Sequence, residues 1–185
     1  KYLAKTTDYG LTFRREPLGD IESNIASNSS LKECTLPPIV TFTDSSHGGE
    51  RPMAGFACYH GENLYHWASY RHATTPIASA AGEYLAAVRA AISTIATSDI
   101  TRWMGYKSES DPPILLCDNI AAVKISDNDF SSQRMQHIAT KVALLQEEVK
   151  AKRINLVHIG AAGQVADIFT KPLTAGAFHP LRAML

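Results

Sequence analysis

Apolar residues along this chain fall into blocks whose period changes, and each change marks an element. Ile39-Val40-Thr41-Phe42-Thr43 ending at Asp44, then Met53–Tyr59 and Asn63–Ser69, are short runs rich in β-branched and aromatic residues. Runs of that length and composition predict three successive strands. Tyr59-His60-Gly61-Glu62-Asn63 supplies the Gly and polar residues of a hairpin, and Ser45–Pro52, with Gly48-Gly49, is also turn-like. From 79 to 98 the period lengthens. Leu85, Val88, Ile92 and Ile95 recur at three- and four-residue steps in an Ala-rich background, which predicts a helix buried over most of its surface. Trp103 to Pro113 is a polar loop. Ile114-Leu115-Leu116-Cys117 then predicts a fourth strand, followed by a short helix from Asn119 to about Ile125. Met135, Ile138, Val142, Leu145 and Val149 mark a second long helix, Ile154–Ile159 a fifth strand, and Gln164–Lys171 a short helix stopped by Pro172.

Three strands, helix, strand, helix, strand, helix predict an α/β fold: a mixed five-stranded sheet, its first three strands antiparallel, flanked by helices. Residues 1–37 are different. Tyr2, Leu3, Tyr9, Leu11 and Phe13 have packing potential, but Asn24 to Ser30 is Ser/Asn-rich without periodicity, as in a linker. The expected division is therefore a connecting segment over 1–37 and a folded domain over 38–185. No internal repeat is present.

Composition changes this picture little. At 185 residues and 45% apolar the chain has enough for one core. Its formal net charge of zero gives no global argument for nucleic acid binding. Basic residues are local: Lys1, Lys5, Arg14 and Arg15 early, then Arg134, Lys141, Lys150, Lys152 and Arg153 late. Cys34, Cys58 and Cys117 have neither metal-site spacing nor a pairing framework, so a reducing, intracellular setting is expected. No stretch approaches the roughly 20 apolar residues of a membrane span. The start, Lys1-Tyr2-Leu3-Ala4, has no Met and is expected to lie inside a longer polypeptide.

The candidate chemistry is carried by Asp44, Glu83, Asp118 and Asp167: strand end, helix, strand end, late helix. Acids on adjacent strand ends and facing helices can converge on a pair of divalent cations, which activate a water and stabilise the leaving oxygen of a phosphodiester. Each acid also has a plainer reading. Asp44 suits a turn, Glu83 the start of a helix and Asp118 a helix cap, while Asp167 suits a surface position. Their order favours the site. Oxygen-only ligands select hard cations, so two Mg²⁺ are expected, with Mn²⁺ able to substitute. The seven histidines have no zinc spacing, and no nucleophilic triad is apparent.

These residues lie in motifs that resemble the ribonuclease H domain at the C-terminal end of the Pol polyprotein of copia-type LTR retrotransposons. The family's SDADWAG has its counterpart in Thr43-Asp44-Ser45-Ser46-His47-Gly48-Gly49, and its WSSKKQ in Trp67-Ala68-Ser69-Tyr70-Arg71-His72. Pro76 to Tyr84 carries the second acid, Glu83, and CDNQSA matches Cys117-Asp118-Asn119-Ile120-Ala121-Ala122. HSRTKHID is echoed by Ser132 to Ala139. QLADIFTKPL is nearly intact as Gln164 to Leu173, and Lys1 to Leu11 resembles the link from reverse transcriptase. Ser46, His47, Ala80, Ala81, Gln136 and Ala139 depart from the family pattern.

The resemblance implies a ribonuclease H-like fold and hydrolysis of the RNA strand of RNA–DNA hybrids, alongside a reverse transcriptase domain in a cytoplasmic virus-like particle. Asp44, Glu83, Asp118 and Asp167 would be the metal-binding catalytic residues. Ser45, Ser79, Asn119 and Gln164 are candidates for reading 2′-hydroxyls, Arg71 and Arg134 for phosphates, and His72 for a polar contact near the substrate. Tyr84 and Trp67 are expected in the core. The rival expectation, motivated by the departures, is a domesticated, inactive scaffold that binds protein or nucleic acid. A third, another nuclease of this superfold, is disfavoured by the ADIFTKP segment.

Overall fold

The computed structural model describes residues 10–13, 39–47, 52–73, 76, 78–103, 112–127 and 138–185. The linker expected at 24–30, Arg134 and most of the polar loop before the fourth strand lie outside the described residues. Five strands, β1 (Ile39–Ser45), β2 (Met53–His60), β3 (Asn63–Arg71), β4 (Ile114–Cys117) and β5 (Asn155–His158), form one sheet in the order β3-β2-β1-β4-β5. β1 pairs antiparallel with β2 and β2 with β3, whereas β1–β4 and β4–β5 are parallel. This is the mixed sheet that the pattern of runs predicts.

Even the polar positions of the central strands, Thr41 and Thr43 of β1, are buried, because both faces are covered. Every residue of β1 and of β4 is buried. One face packs on α1 (Ser79–Trp103) and α3 (Ala139–Lys150) through Tyr84, Val88, Leu115, Val142 and Leu145. The other, with Val40, Phe42, Tyr59 and Leu116, is covered by the C-terminal segment through Ile159, Val165 and Phe169. That segment holds α4 (Asp167–Thr170) and α5 (Ala175–Ala183), and the Tyr59 hydroxyl secures its end by donating to the Met184 carbonyl at 2.9 Å. The short helix after β4 is α2 (Ile120–Asp127).

Two glycines set how closely the helices approach. A Cβ on Gly82 in α1 would stand 2.9 Å from Ser45 Oγ, so glycine brings Glu83 down beside the end of β1. A Cβ on Gly55 in β2 would stand 2.6 Å from Phe169 Cβ and 3.1 Å from Thr170 Cγ2. Gly55 is paired with Asp44, and its bare backbone lets α4 close over that acid. Gly55→Ala is expected to cost about 1–3 kcal/mol by overpacking. Urea unfolding measures this, and an unchanged midpoint would mean that α4 does not rest on Gly55.

Several expectations need correction. α1 continues to Trp103, and Glu83 is in its second turn rather than opening it. Ile92 is exposed although it falls in the apolar repeat, because close packing on the sheet is done by small residues such as Ala87, Ala90 and Ala91. Thr94 joins them, donating to the Ala90 carbonyl while Thr41 of β1 donates to it at 2.7 Å. Trp67 is 47% exposed rather than in the core, since it lies on the edge strand β3. The last helix is not one segment over 164–171 but a 3₁₀ turn, Ala161–Gly163, followed by α4. The sequence pattern does not predict α5: Gly176 and Pro180 argue against a helix, yet Leu181 is buried and anchors it.

Candidate active site

The four acids reach one place from four elements. Asp44 is the sixth residue of β1, Glu83 lies on α1, Asp118 follows the last residue of β4, and Asp167 opens α4. β1 and β4 are neighbours and parallel, with Thr43 opposite Cys117. Asp44 and Asp118 therefore leave adjacent strands at the same end of the sheet. One oxygen each of Asp44, Asp118 and Asp167 lie within 4.8 Å of one another, and the ligand atoms of Glu83, Cys117 and Asp118 meet the same limit. Asp118 links the two groups.

Burial and mutual repulsion define the electrostatics. Burial foremost, then the negative Asp44 and Asp118, pushes the Glu83 carboxyl up to about 9. Asp118 is raised by burial and by Asp44, and Asp167 by burial, with Lys171 opposing the shift in both. Burial and Glu83 keep the Cys117 thiol protonated, which leaves carboxylate oxygens as the donors. Glu83 Oε2 is buried with no hydrogen-bond partner among the described residues, while Oε1 is 3.6 Å from His47 Nε2. An orphaned buried carboxylate oxygen among other carboxylates suits a hard cation, so the residues present fit Mg²⁺ or Mn²⁺.

The plainer readings of the acids fare differently. The cap on α2 is Asn119, whose Oδ1 accepts from the Ala121 and Ala122 amides at 3.0 and 3.1 Å. Asp118 is left facing the cluster. Glu83 is beyond the first turn of α1, where the helix dipole acts most strongly. Asp44 is 1% exposed, not a surface turn residue.

Comparison with known proteins bears on the fold. No protein-family model matches the chain. It is 24% identical over 183 residues to the retrovirus-related Pol polyprotein from transposon RE2 of Arabidopsis thaliana, a match covering 97% of the chain and 11% of the polyprotein. The corresponding RE1 polyprotein of the same plant is 24% identical over 153 residues, covering 80% of the chain and 10% of the polyprotein. The chain thus spans a small part of the length of these curated relatives. Among solved structures, LC11-RNase H1 in complex with RNA/DNA hybrid has a TM-score of 0.51 at 19% identity, over 71% of this chain and 93% of that one. The chain has a ribonuclease H-like fold and is similar in sequence to part of retrotransposon Pol polyproteins.

Within the ribonuclease H fold, the residues proposed for substrate fall into three groups. Arg71, at the end of β3, and Ser79, at the start of α1, are exposed. Ser45 is 1% exposed, and its Oγ pairs with His72 Nε2 at 2.9 Å. Burial, reinforced by His47 and Lys141, lowers the His72 pKa, which favours the neutral ring. Gln164 does not fit a substrate contact. It is fully buried, its Nε2 donates to the Thr43 carbonyl at 2.9 Å, and its Oε1 accepts from the Ala166 amide. It ties the approach to α4 onto β1, one residue from Asp44.

Sequence reasoning missed two residues that the fold delivers to the acids. The Thr170 hydroxyl donates to Asp44 Oδ2. Lys171 Nζ lies 2.7 Å from Asp167 Oδ1 and 3.3 Å from Asp44 Oδ1. Burial alone would lower the Lys171 pKa, but Asp167 and Asp44 outweigh it and push it up to about 12. The available signal was the four-residue spacing from Asp167 to Lys171. Ser46, standing where the family has Asp, closes the β1–β2 turn by accepting from the Met53 amide at 3.0 Å.

Proposed function

We propose that this domain is a metal-dependent endonuclease that hydrolyses the RNA strand of RNA–DNA hybrids, leaving 5′-phosphate ends, during reverse transcription of a retrotransposon. The observation that carries this reading is the convergence of four carboxylates, with Glu83 Oε2 buried and without a hydrogen-bond partner among the described residues. Asp44, Glu83, Asp118 and Asp167 would hold two Mg²⁺ ions, or Mn²⁺. When bound, the ions supply an activated water and charge stabilisation at the leaving oxygen. The protein's part is positioning. Thr170 fixes one Asp44 oxygen, Asn119 caps α2 and so leaves Asp118 directed at the site, and Gln164 anchors the lead-in to Asp167.

Recognition of the RNA strand would use 2′-hydroxyls, the feature that separates RNA from DNA. Ser45, the remaining amide donor of Asn119, Ser79 and His72 are the groups proposed to meet them, with Arg71 and Arg134 at phosphates. LC11-RNase H1, which shares the fold, is in complex with RNA/DNA hybrid, and this supports the substrate class. The Pol relatives support a reverse transcriptase domain as the covalent partner. Residues 1–37 as the connection to it and a cytoplasmic, particle-bound setting belong to the same proposal. No helix among the described residues is long and apolar enough to cross a membrane.

Cleavage of a labelled RNA–DNA hybrid with Mg²⁺ or Mn²⁺ tests the reading, beside Asp118→Asn and a double-stranded RNA control. RNA-strand cutting that needs metal, falls at least about a hundredfold in the variant and spares the control is expected. An intact hybrid with either metal, from a folded preparation, would refute it. One observation favours a second reading: Lys171 already lies among the acids, as it would in a scaffold that has replaced metal by an internal cation. Metal titration separates the two.

A further inference from the structure

Lys171 contacts two of the acids assigned to the metal, and this contact has a geometry that metal binding must change. Its Nζ is within 2.7 Å of Asp167 Oδ1 and 3.3 Å of Asp44 Oδ1. Asp44 is 1% exposed and its second oxygen is taken by Thr170. Lys171 therefore meets the Asp44 oxygen that does not accept from Thr170, the one more open to another cation. An ammonium and a divalent ion sharing these two carboxylates would stand a few ångströms apart in a partly desolvated site, where like charges repel strongly. The lysine side chain, at 37% exposure, has a route into solvent. Its backbone is extended at the end of α4 (φ −132°, ψ 144°), so the stem is not fixed within a helical turn.

Resting on the metal-binding reading above, we infer that Lys171 is an exchangeable internal counter-cation. It neutralises Asp44 and Asp167 in the metal-free domain and is expelled when the metal binds, thereby raising the metal concentration at which the site loads. The lysine is a positioning and gating residue, not a catalytic one. Its bridge between Asp44 on β1 and Asp167 on α4 holds α4 against β1 until the metal takes over that role.

The test uses the full 185-residue chain, stripped of metal by chelation. Mg²⁺, and separately Mn²⁺, are titrated by calorimetry into the wild type and Lys171→Met, and melting is recorded with and without each ion. The variant is expected to bind metal about five- to tenfold more tightly, to melt lower without metal and to gain more on loading. Equal or weaker binding by a folded variant overturns the inference and leaves the nuclease reading standing. Absence of metal binding by both proteins overturns both. Should Lys171→Met fail to fold, the wild type itself decides. Acetylation of Lys171 by acetic anhydride, read by peptide mass spectrometry, should rise several-fold when Mg²⁺ is present, and an unchanged rate overturns the exchange.

Discussion

Asp44→Asn is expected to lower hybrid cleavage by about a thousandfold, ~4 kcal/mol of transition-state stabilisation, while the domain stays folded. Asp44 is the most enclosed of the acids, and it helps to raise the pKa of Glu83, Asp118 and Asp167. Asparagine keeps the shape. Its oxygen can still accept from Thr170, which donates to Asp44 in the native protein. It carries no charge to hold a cation, and its amide hydrogens face Lys171 as a second donor. The lysine is 37% exposed and retains Asp167 at 2.7 Å, so no uncompensated buried charge is left behind. Removing one negative charge also eases the repulsion among the remaining acids. Activity and stability should therefore separate: cleavage collapses while the urea midpoint stays near that of the wild type. Cleavage within tenfold of wild type would remove Asp44 from the reaction, and a collapse of the midpoint would make its effect structural.

What the sequence made legible follows from which forces act locally. β4 announces itself as an unbroken apolar run and β1 as a β-branched and aromatic one, because both are buried on both faces. The acids at their ends become visible as the points where those runs stop. Glu83 was legible only through its motif, since a carboxylate inside a buried Ala-rich helix has no periodic signal. Lys171 and Thr170 were not legible as site residues. Their meeting with Asp44 depends on α4 closing over β2, which the absence of a side chain at Gly55 allows, a tertiary condition that no local pattern encodes. Gln164 shows the opposite failure. Its place in the QLADIFTKPL-like segment drew it toward substrate, whereas burial and its bond to Thr43 make it a brace. The helix cap was likewise one residue away from the acid suspected of it, at Asn119.

The metal-free domain is also expected to lose stability as pH rises, in contrast to a protein whose carboxylates are paired. The Glu83 carboxyl has a folded pKa of about 9 against an ordinary 4.5, owing first to burial and then to Asp44 and Asp118. Below 4.5 the group is protonated in both the folded and unfolded chains, and its contribution to stability is complete. Between 4.5 and about 9 the unfolded chain releases this proton and the folded chain keeps it. Unfolding is then favoured by increasing pH, with a slope of up to about 1.4 kcal/mol per pH unit. Urea unfolding at pH 5, 6.5 and 8 in the presence of chelator should show midpoints that fall steadily, and Glu83→Gln, which cannot ionise, should flatten the trend. Saturating Mg²⁺ should oppose it, because the metal binds the ionised carboxylate and its affinity rises with pH as the proton is displaced. A wild-type profile that is flat in chelator, or one that Glu83→Gln leaves unchanged, would mean that Glu83 ionises freely in the folded state. Glu83 would then be more open to solvent than its 4% exposure indicates.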